Sequence, residues 1–455
     1  MSPSSRLFGT DGIRAPFGTP PLDHRTISAL AHALGRRLGT AKNNGAPPLV
    51  VLGGDTREST PEICGWLATG LTQEGIEVRY PGEIPTPGIA FLARRLGAAC
   101  GIAVSASHNR VPDNGVKLID GEGFKWSEKA EAELEQALLA LRDALGFAPG
   151  DASEPKSKVS LGIAYLESLR SSLPGEKPLA NLKLAVDCGH GAASDYAKIL
   201  FEGLGATVDV INAEPDGTNI NAGCGSTHPE VVAERVVEIG ADLGLAFDGD
   251  ADRCILVDER GEVRDGDAIL YLWARDLAAK DALPGRKIVA TSMSNLGLVR
   301  ALHQEGIEVV RCDVGDRQVV ATMKAEGIVL GGEQSGHIVH LKEASTGDGL
   351  LTALHIAALR ARSGEPLSQM LAGFRRYPQI LSNIPVREKR AFADLPGVAA
   401  AAARVERKLG DDGRLVLRYS GTEPLARIMI EGADQTEITA LAGEIATEIR
   451  GAIGV

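Results

Sequence analysis

Short apolar runs alternate with longer stretches in which apolar residues recur at helical spacing, and the alternation continues for most of the chain. This pattern predicts α/β units built on parallel sheets. Three β-rich runs end in polar, turn-prone residues: LVVLGGDTR at 49–57, KLAVDCGHG at 183–191 and KIVATSMSN at 287–295. Each is followed by a helical stretch that closes on glycine, at Gly75, Gly205 and Gly306. Each then resumes as a strand, from Ile76, Thr207 and Ile307, and a third strand follows from Cys100, Asp242 and Gly327. The chain therefore reads as three tandem copies of one β-α-β-α-β design. In every copy the third strand runs into an unusual polar loop. Ligands of open parallel sheets bind beyond the carboxyl ends of the strands, so three chemically different loops are aimed at equivalent places.

After Ser363–Pro366 the pattern changes. Strands are expected from Leu381, Arg414 and Ala426, and an amphipathic helix from Thr436, which makes a smaller α+β unit. The segment 146–158 is rich in Gly, Pro, Ser and charge and reads as a linker. The divisions fall at 1–150, 151–255, 256–368 and 369–455, in keeping with a length of 455 residues. The expected fold is three similar α/β domains with mixed, mostly parallel sheets, plus a smaller C-terminal α+β domain, around a central cleft.

Composition narrows the function. Lys and Arg number 48 against 60 Asp and Glu, a net charge of −12, which argues against a nucleic-acid partner. Aromatic residues are only 4%, so the cores must rest on Ala, Val, Leu and Ile. Six cysteines, at 64, 100, 188, 224, 254 and 312, form no Cys-x-x-Cys pair and read as buried reduced thiols. The first residues carry no apolar signal core, and no run approaches about 18 apolar residues. A cytoplasmic protein without a membrane partner is expected.

The loops hold the candidate chemistry. Ser105-Ala106-Ser107-His108-Asn109 ends a buried strand, and a hydroxyl there is placed to act as a nucleophile or to carry a phosphate; a simple serine cap or turn is the plainer alternative. Asn114-Gly115 is a hairpin-turn signal that folds Lys117 back toward the Ser107 strand. There a lysine can serve as acid, base or charge clamp. Asp248, Asp250 and Asp252 alternate in DGDADR, a density of hard oxygen ligands that suits Mg²⁺ or Ca²⁺. An EF-hand is excluded, because Arg253 occupies the position that needs glycine and the flanks are strands. Three Asp ligands leave metal positions open for a phosphate oxygen, and Arg253 adds positive charge. Glu333 and Ser335, two apart on a segment read as extended, point to one side and suit a pair of sugar hydroxyls. Arg418, Ser420, Gly421, Thr422 and Arg427 make an anion nest, and Arg14 follows a tight turn in FGTDGIR.

Together these motifs resemble the α-D-phosphohexomutase family. FGTDGIR at 8–14, SASHN at 105–109, DGDADR at 248–253, GEQSGH at 332–337 and RYSGTEP at 418–424 stand in the family's order over essentially the whole chain. Gln334, where phosphomannomutase/phosphoglucomutase enzymes typically carry Met, and the run NINAGCGSTH at 219–228 resemble the branch acting on glucosamine phosphates. The glucose and mannose branch is the alternative.

The resemblance implies that Ser107 is a phosphoserine that donates and recovers the phosphoryl group. Mg²⁺, one per chain, binds its phosphate and Asp248, Asp250 and Asp252. Glu333, Ser335 and His337 hold the sugar; Arg418, Ser420, Gly421, Thr422 and Arg427 hold the distal phosphate. Arg14, Lys117 and Arg253 surround the reacting phosphate, with Lys117 or Asp316 as acid/base. A sugar phosphate is the substrate and glucosamine 1,6-bisphosphate the activating intermediate. A kinase or bisphosphate donor primes Ser107, and a homodimer is compatible with the family. The product feeds UDP-N-acetylglucosamine and cell-wall precursor synthesis. Arg110 replaces the family's usual Pro after SASHN, which implies either a less rigid loop or a phosphate contact.

Overall fold

The computed structural model describes residues 6–39, 46–144, 154–420 and 423–455. The first unit contains β1 (Ile13–Pro16), α1 (His24–Gly39), β2 (Leu49–Gly54), α2 (Thr60–Gln73), β3 (Glu77–Glu83), α3 (Thr86–Leu96), β4 (Cys100–Val104), β5 (Asp113–Asp120) and α4 (Glu128–Ala144). The second contains α5 (Val159–Ser171), β6 (Lys183–Asp187), α6 (Ala197–Gly203), β7 (Thr207–Ile211), α7 (Glu230–Ile239), β8 (Leu243–Phe247), β9 (Cys254–Asp258) and β10 (Val263–Arg264). The third contains α8 (Gly266–Ala279), β11 (Lys287–Thr291), α9 (Leu296–Gln304), β12 (Glu308–Cys312), α10 (Asp316–Glu326), β13 (Leu330–Gly332), β14 (Ile338–His340) and α11 (Gly349–Ser363). Helix α12 (Leu367–Met370) closes the third unit, in whose core Leu367 and Met370 are buried, and the fourth follows with β15 (Gln379–Pro385), α13 (Pro396–Leu409), β16 (Arg414–Tyr419), β17 (Leu425–Glu431) and α14 (Gln435–Ile453).

The sheets repeat one topology. Their orders are β1-β5-β4-β2-β3, β10-β9-β8-β6-β7 and β12-β11-β13-β14. In each, the first strand of the repeat pairs in parallel with the second and the third. A further strand then pairs antiparallel with the third: β5 on β4, β9 on β8 and β14 on β13. Each polar loop is thus the turn of a β-hairpin, anchored on both sides by buried backbone. Gly75, Gly205 and Gly306, which follow α2, α6 and α9, all have positive φ, where a Cβ would be strained. They end the helices so that the chain can turn into the next strand. The fourth unit is a wholly antiparallel sheet, β15-β17-β16, with its own core of Ile428, Ile430, Ile445 and Ile449. The second and third units share one continuous apolar core, which also takes in Ile84 and Ile89 of the first.

Several details depart from the sequence reading. The division at 255/256 falls inside β9, because the hairpin leaving the 248–253 loop extends the second sheet to Arg264. The division at 368/369 falls inside α12. Asn114-Gly115 is not a hairpin turn: both residues lie in β5, opposite Ala15 and Arg14 of β1. Gly115 is needed for close approach, since a Cβ there would lie 2.6 Å from Ser105 O and 2.7 Å from Ile13 O. The reversal comes earlier, between β4 and β5, and it still sets Lys117 opposite Ala103. Of the expected linker, residues 146–153 lie outside the described residues. Ser157 and Lys158 donate to the backbone carbonyls of Pro81 and Tyr80 in β3.

The cysteines are unpaired; five are buried and Cys312 is half-buried. Among the described residues no helix is long and apolar enough to cross a membrane.

Candidate active site

The loop after β4 carries Ser107, which is 1% exposed and sits at φ +53°. Its Oγ donates to Asp248 Oδ2 at 2.6 Å, so the first and second polar loops meet at one point. The left-handed backbone costs a non-glycine residue about 1–2 kcal/mol, and the surrounding contacts hold it there. Ser107 N–H donates to Ser105 Oγ (2.8 Å), and Ser105 Oγ donates to Asp55 Oδ2 (2.6 Å). Asp55 also pairs with buried Arg57, whose guanidinium donates to the carbonyls of Ser107, Asn109 and Asp113.

The loop after β8 brings Asp248, Asp250 and Asp252 together, all buried, with ligand atoms within 4.8 Å of one another. Burial and the neighbouring charges of Asp252 and Asp250 push the Asp248 carboxyl well above the usual range. Burial would raise Asp252 as well, but Lys117 and His337 outweigh it and hold Asp252 well below. Asp250 Oδ1 and Asp252 Oδ1 are buried without a hydrogen-bond partner. Crowded carboxylates with unsatisfied oxygens are the donor set a hard divalent cation needs, so the triad could bind a metal ion.

Cations surround this cluster. Lys117 Nζ lies 2.8 Å from Asp250 Oδ2, 3.5 Å from Asp252 Oδ2 and 3.2 Å from Asp11 Oδ2. Burial alone would lower its pKa, but Asp11, Asp250 and Asp252 outweigh burial and keep it an ammonium. Arg253 stands 3.9 Å from Asp248 and 3.7 Å from Asp252. Arg14, on β1, pairs with Asp11 at the edge of the cluster. His108 Nδ1 is 3.5 Å from Ser107 Oγ; burial, helped by Arg253 and Arg14, lowers its pKa to about 4, so the ring is neutral.

The third loop is a tight turn between β13 and β14, closed by Gly336 N–H to Glu333 O at 3.0 Å, rather than an extended segment. The antiparallel return to β14 forces the reversal. Glu333 Oε1 accepts from Gly315 N–H (3.1 Å) and its charge acts on Arg253, while Ser335 is exposed. His337, grouped with the sugar contacts from sequence, is buried. Its Nδ1 lies 3.6 Å from Asp252 Oδ1, and its Nε2 accepts from Gly347 N–H at 3.1 Å. Gln334 Nε2 lies 3.3 Å from Asp267 Oδ2 at the start of α8.

In the fourth unit Arg418 and Arg427 face each other across β16 and β17. Burial and the charge of Arg427 lower the Arg418 pKa, an arrangement that favours an anion between them; Asp313 of the third unit acts in the opposite sense. Arg427 Nη2 reaches Ser420 Oγ (3.3 Å) and Glu423 Oε2 (3.0 Å), and Lys389 Nζ donates to Ser420 O (2.6 Å). Gly421 and Thr422 lie outside the described residues. Asp316 pairs with Lys125, which also binds Asp11. Arg110 stands 3.3 Å from His228 Nε2 of the second unit.

The phosphoglucomutase/phosphomannomutase family models match in chain order: alpha/beta/alpha domain I at residues 5–144, domain II at 164–261, domain III at 265–377 and the C-terminal domain at 381–448. A phosphoglucosamine mutase from Anaeromyxobacter dehalogenans (strain 2CP-C) is 45% identical over 460 residues, covering 99% of each chain. The chain belongs to the phosphohexomutases, the phosphoglucomutase/phosphomannomutase family. A crystal structure of a family protein from Burkholderia thailandensis is 25% identical, with TM-score 0.80 and full coverage of both chains. An Aspergillus fumigatus N-acetylphosphoglucosamine mutase, in complex with GlcNAc-6P and magnesium, shares the fold at 20% identity. Its TM-score is 0.67, with 100% of this chain and 97% of that one covered.

In this phosphohexomutase SASHN, DGDADR and GEQSGH lie at the ends of the equivalent strands β4, β8 and β13, whereas FGTDGIR leads into β1 and RYSGTEP belongs to the fourth unit. Sequence reasoning missed Asp11, Arg57, Lys125, Asn221 and Lys389. Asp11 and Arg57 lie inside runs that were noticed, FGTDGIR and LVVLGGDTR. Lys389 carries no local signal.

Proposed function

We propose that this phosphohexomutase interconverts glucosamine 6-phosphate and glucosamine 1-phosphate through a phosphoserine at Ser107. The observation that carries the reading is the 45% identity, over the full length, to a phosphoglucosamine mutase. A second support is the meeting of Ser107 Oγ with Asp248 at 2.6 Å, beside an ammonium and a guanidinium.

In this reading Asp248, Asp250 and Asp252 hold one Mg²⁺ together with the serine phosphate. When bound, the cation neutralises phosphate charge. Arg14, Arg253 and Lys117 face the same phosphate, which carries about −1.5 to −2 charges at neutral pH. Glucosamine 6-phosphate enters with its 6-phosphate in the nest of Arg418, Ser420, Gly421, Thr422 and Arg427, and its hydroxyls at Glu333 and Ser335. His337 steadies Asp252 from behind. The O1 oxygen attacks the phosphoryl group and loses its proton, the P–Oγ bond breaks, and the departing Oγ takes up a proton, so that one proton passes in net from O1 to Oγ. Lys117 or Asp316 is the acid/base in this reading; the carboxylates that hold the Lys117 pKa up suit it to neutralising phosphate charge more than to releasing a proton, and Asp316 is ion-paired to Lys125.

Glucosamine 1,6-bisphosphate then reorients, so that the nest grips the 1-phosphate and the 6-phosphate faces Ser107. Transfer back regenerates the phosphoserine and releases glucosamine 1-phosphate. One nest must accept either end of the sugar, which suits its place in a separate unit with its own core. A bisphosphate donor or a kinase supplies the first phosphoryl group.

The test compares glucosamine, glucose and mannose 6-phosphates as substrates, with a trace of bisphosphate primer. We expect kcat/KM for glucosamine 6-phosphate to exceed the others by at least about tenfold, a difference of about 1.4 kcal/mol. Equal or better use of glucose or mannose 6-phosphate would assign the chain to the other branch.

A further inference from the structure

The phosphoserine loop is held from two sides. Within the first unit Arg57 Nη2 donates to Ser107 O (3.1 Å) and Asn109 O (2.6 Å). From the second unit, Asn221 Nδ2 donates to the same two carbonyls, at 2.9 and 3.0 Å. Asn221 lies in the segment 219–228, which the reaction described above does not use. It is 1% exposed, and its amide is already engaged by the two loop carbonyls. Its own backbone is set at φ +55° and tied by its N–H to Gly189 O at 2.9 Å.

Asn221 also packs against the metal loop. A Cβ at Gly249 would lie 2.7 Å from Ser107 O and 2.8 Å from Asn221 Nδ2. The serine loop, Asn221 and the Asp248–Asp252 turn are therefore stacked without slack. Arg57 fixes the loop relative to the first sheet; Asn221 fixes it relative to the body that carries the carboxylates.

We infer that Asn221 is a positioning residue for Ser107, acting through the Ser107 and Asn109 carbonyls to hold the serine oxygen in line with the metal loop. The inference rests on the reading of Ser107 as the phosphoryl carrier. Phosphoryl transfer is largely a matter of alignment, and a misplacement of about 1 Å can cost about 100-fold in rate. Removing the Asn221 amide leaves the left-handed Ser107 backbone tied to the first unit by Arg57 alone among these two donors. The sugar-phosphate contacts are untouched.

The test is Asn221→Ala, with Asn221→Asp as a near-isosteric second variant should alanine not fold. Folding is checked by circular dichroism. Steady-state kinetics are compared with the rate at which glucose 1,6-bisphosphate phosphorylates resting enzyme, followed by intact-mass spectrometry. We expect kcat to fall about 30-fold, KM for the sugar phosphate to stay within about twofold, and the phosphorylation rate to fall in parallel with kcat. A merely structural role would lower the unfolding temperature and leave both rates per folded molecule unchanged, and that result overturns the inference. Wild-type enzyme that takes up a phosphoryl adduct while the folded variant matches it in rate refutes the positioning role alone. Wild-type enzyme that never takes up the adduct refutes the phosphoserine reading and this inference with it.

Discussion

Replacing Ser107 by alanine is expected to abolish turnover while leaving the protein folded. In the proposed mechanism the hydroxyl is the covalent carrier in both half-reactions, so no neighbouring group can stand in for it. Losses on removing a covalent nucleophile are about 10⁴-fold or more. The structural cost is small by comparison. One buried hydrogen bond to Asp248 is lost, worth about 1–2 kcal/mol, while Asp55 and Arg57 still brace the loop backbone through Ser105 and the carbonyls. Intact-mass spectrometry should find a phosphoryl adduct on wild type and none on Ser107→Ala. Near-normal activity in the mutant would remove Ser107 from the reaction.

Removal of divalent metal by chelation, or Asp248→Asn, is expected to lower turnover by about two to three orders of magnitude, the scale of a few kcal/mol of charge stabilisation. The same site carries a pH signature. Burial and its acidic neighbours raise the Asp248 pKa in the free protein, so a proton competes with the cation there. Metal affinity should therefore weaken as pH falls through the titration of that carboxyl and strengthen as pH rises, with proton release on binding. Isothermal calorimetry in buffers of different ionisation enthalpy reads that release directly. Turnover unaffected by chelator would contradict a catalytic metal at the triad.

The legible part of this molecule was the part written locally. The three-fold repeat showed because each strand is a short apolar run and each intervening helix ends on a glycine that takes positive φ, at Gly75, Gly205 and Gly306. The loops showed because polar clusters follow buried strands, and the structure puts Ser107 and Asp248 in contact although they lie 141 positions apart. The residues that escaped act through distant partners. Asn221 reaches a carbonyl 114 positions away, and Asp11 has meaning only once Lys117 and Lys125 are folded around it. Asn114-Gly115 misled for the same reason. The dipeptide is a turn signal in isolation, but pairing with β1 on one side and crowding against Ser105 on the other make it strand. At 333–335 the spacing of Glu333 and Ser335 suggests one extended face, whereas the return to β14 imposes a turn.

In the proposed mechanism the phosphoryl group passes through Ser107 and a bisphosphate. Enzyme carrying a radiolabelled phosphoryl group on Ser107 can be mixed with unlabelled glucosamine 6-phosphate for a single turnover. The label is expected to leave the protein and appear in the 1-phosphate of the product, while intact mass shows Ser107 phosphorylated again by the substrate's own 6-phosphoryl group. Label that stays on the protein while unlabelled glucosamine 1-phosphate forms, or that is released as inorganic phosphate, would contradict it.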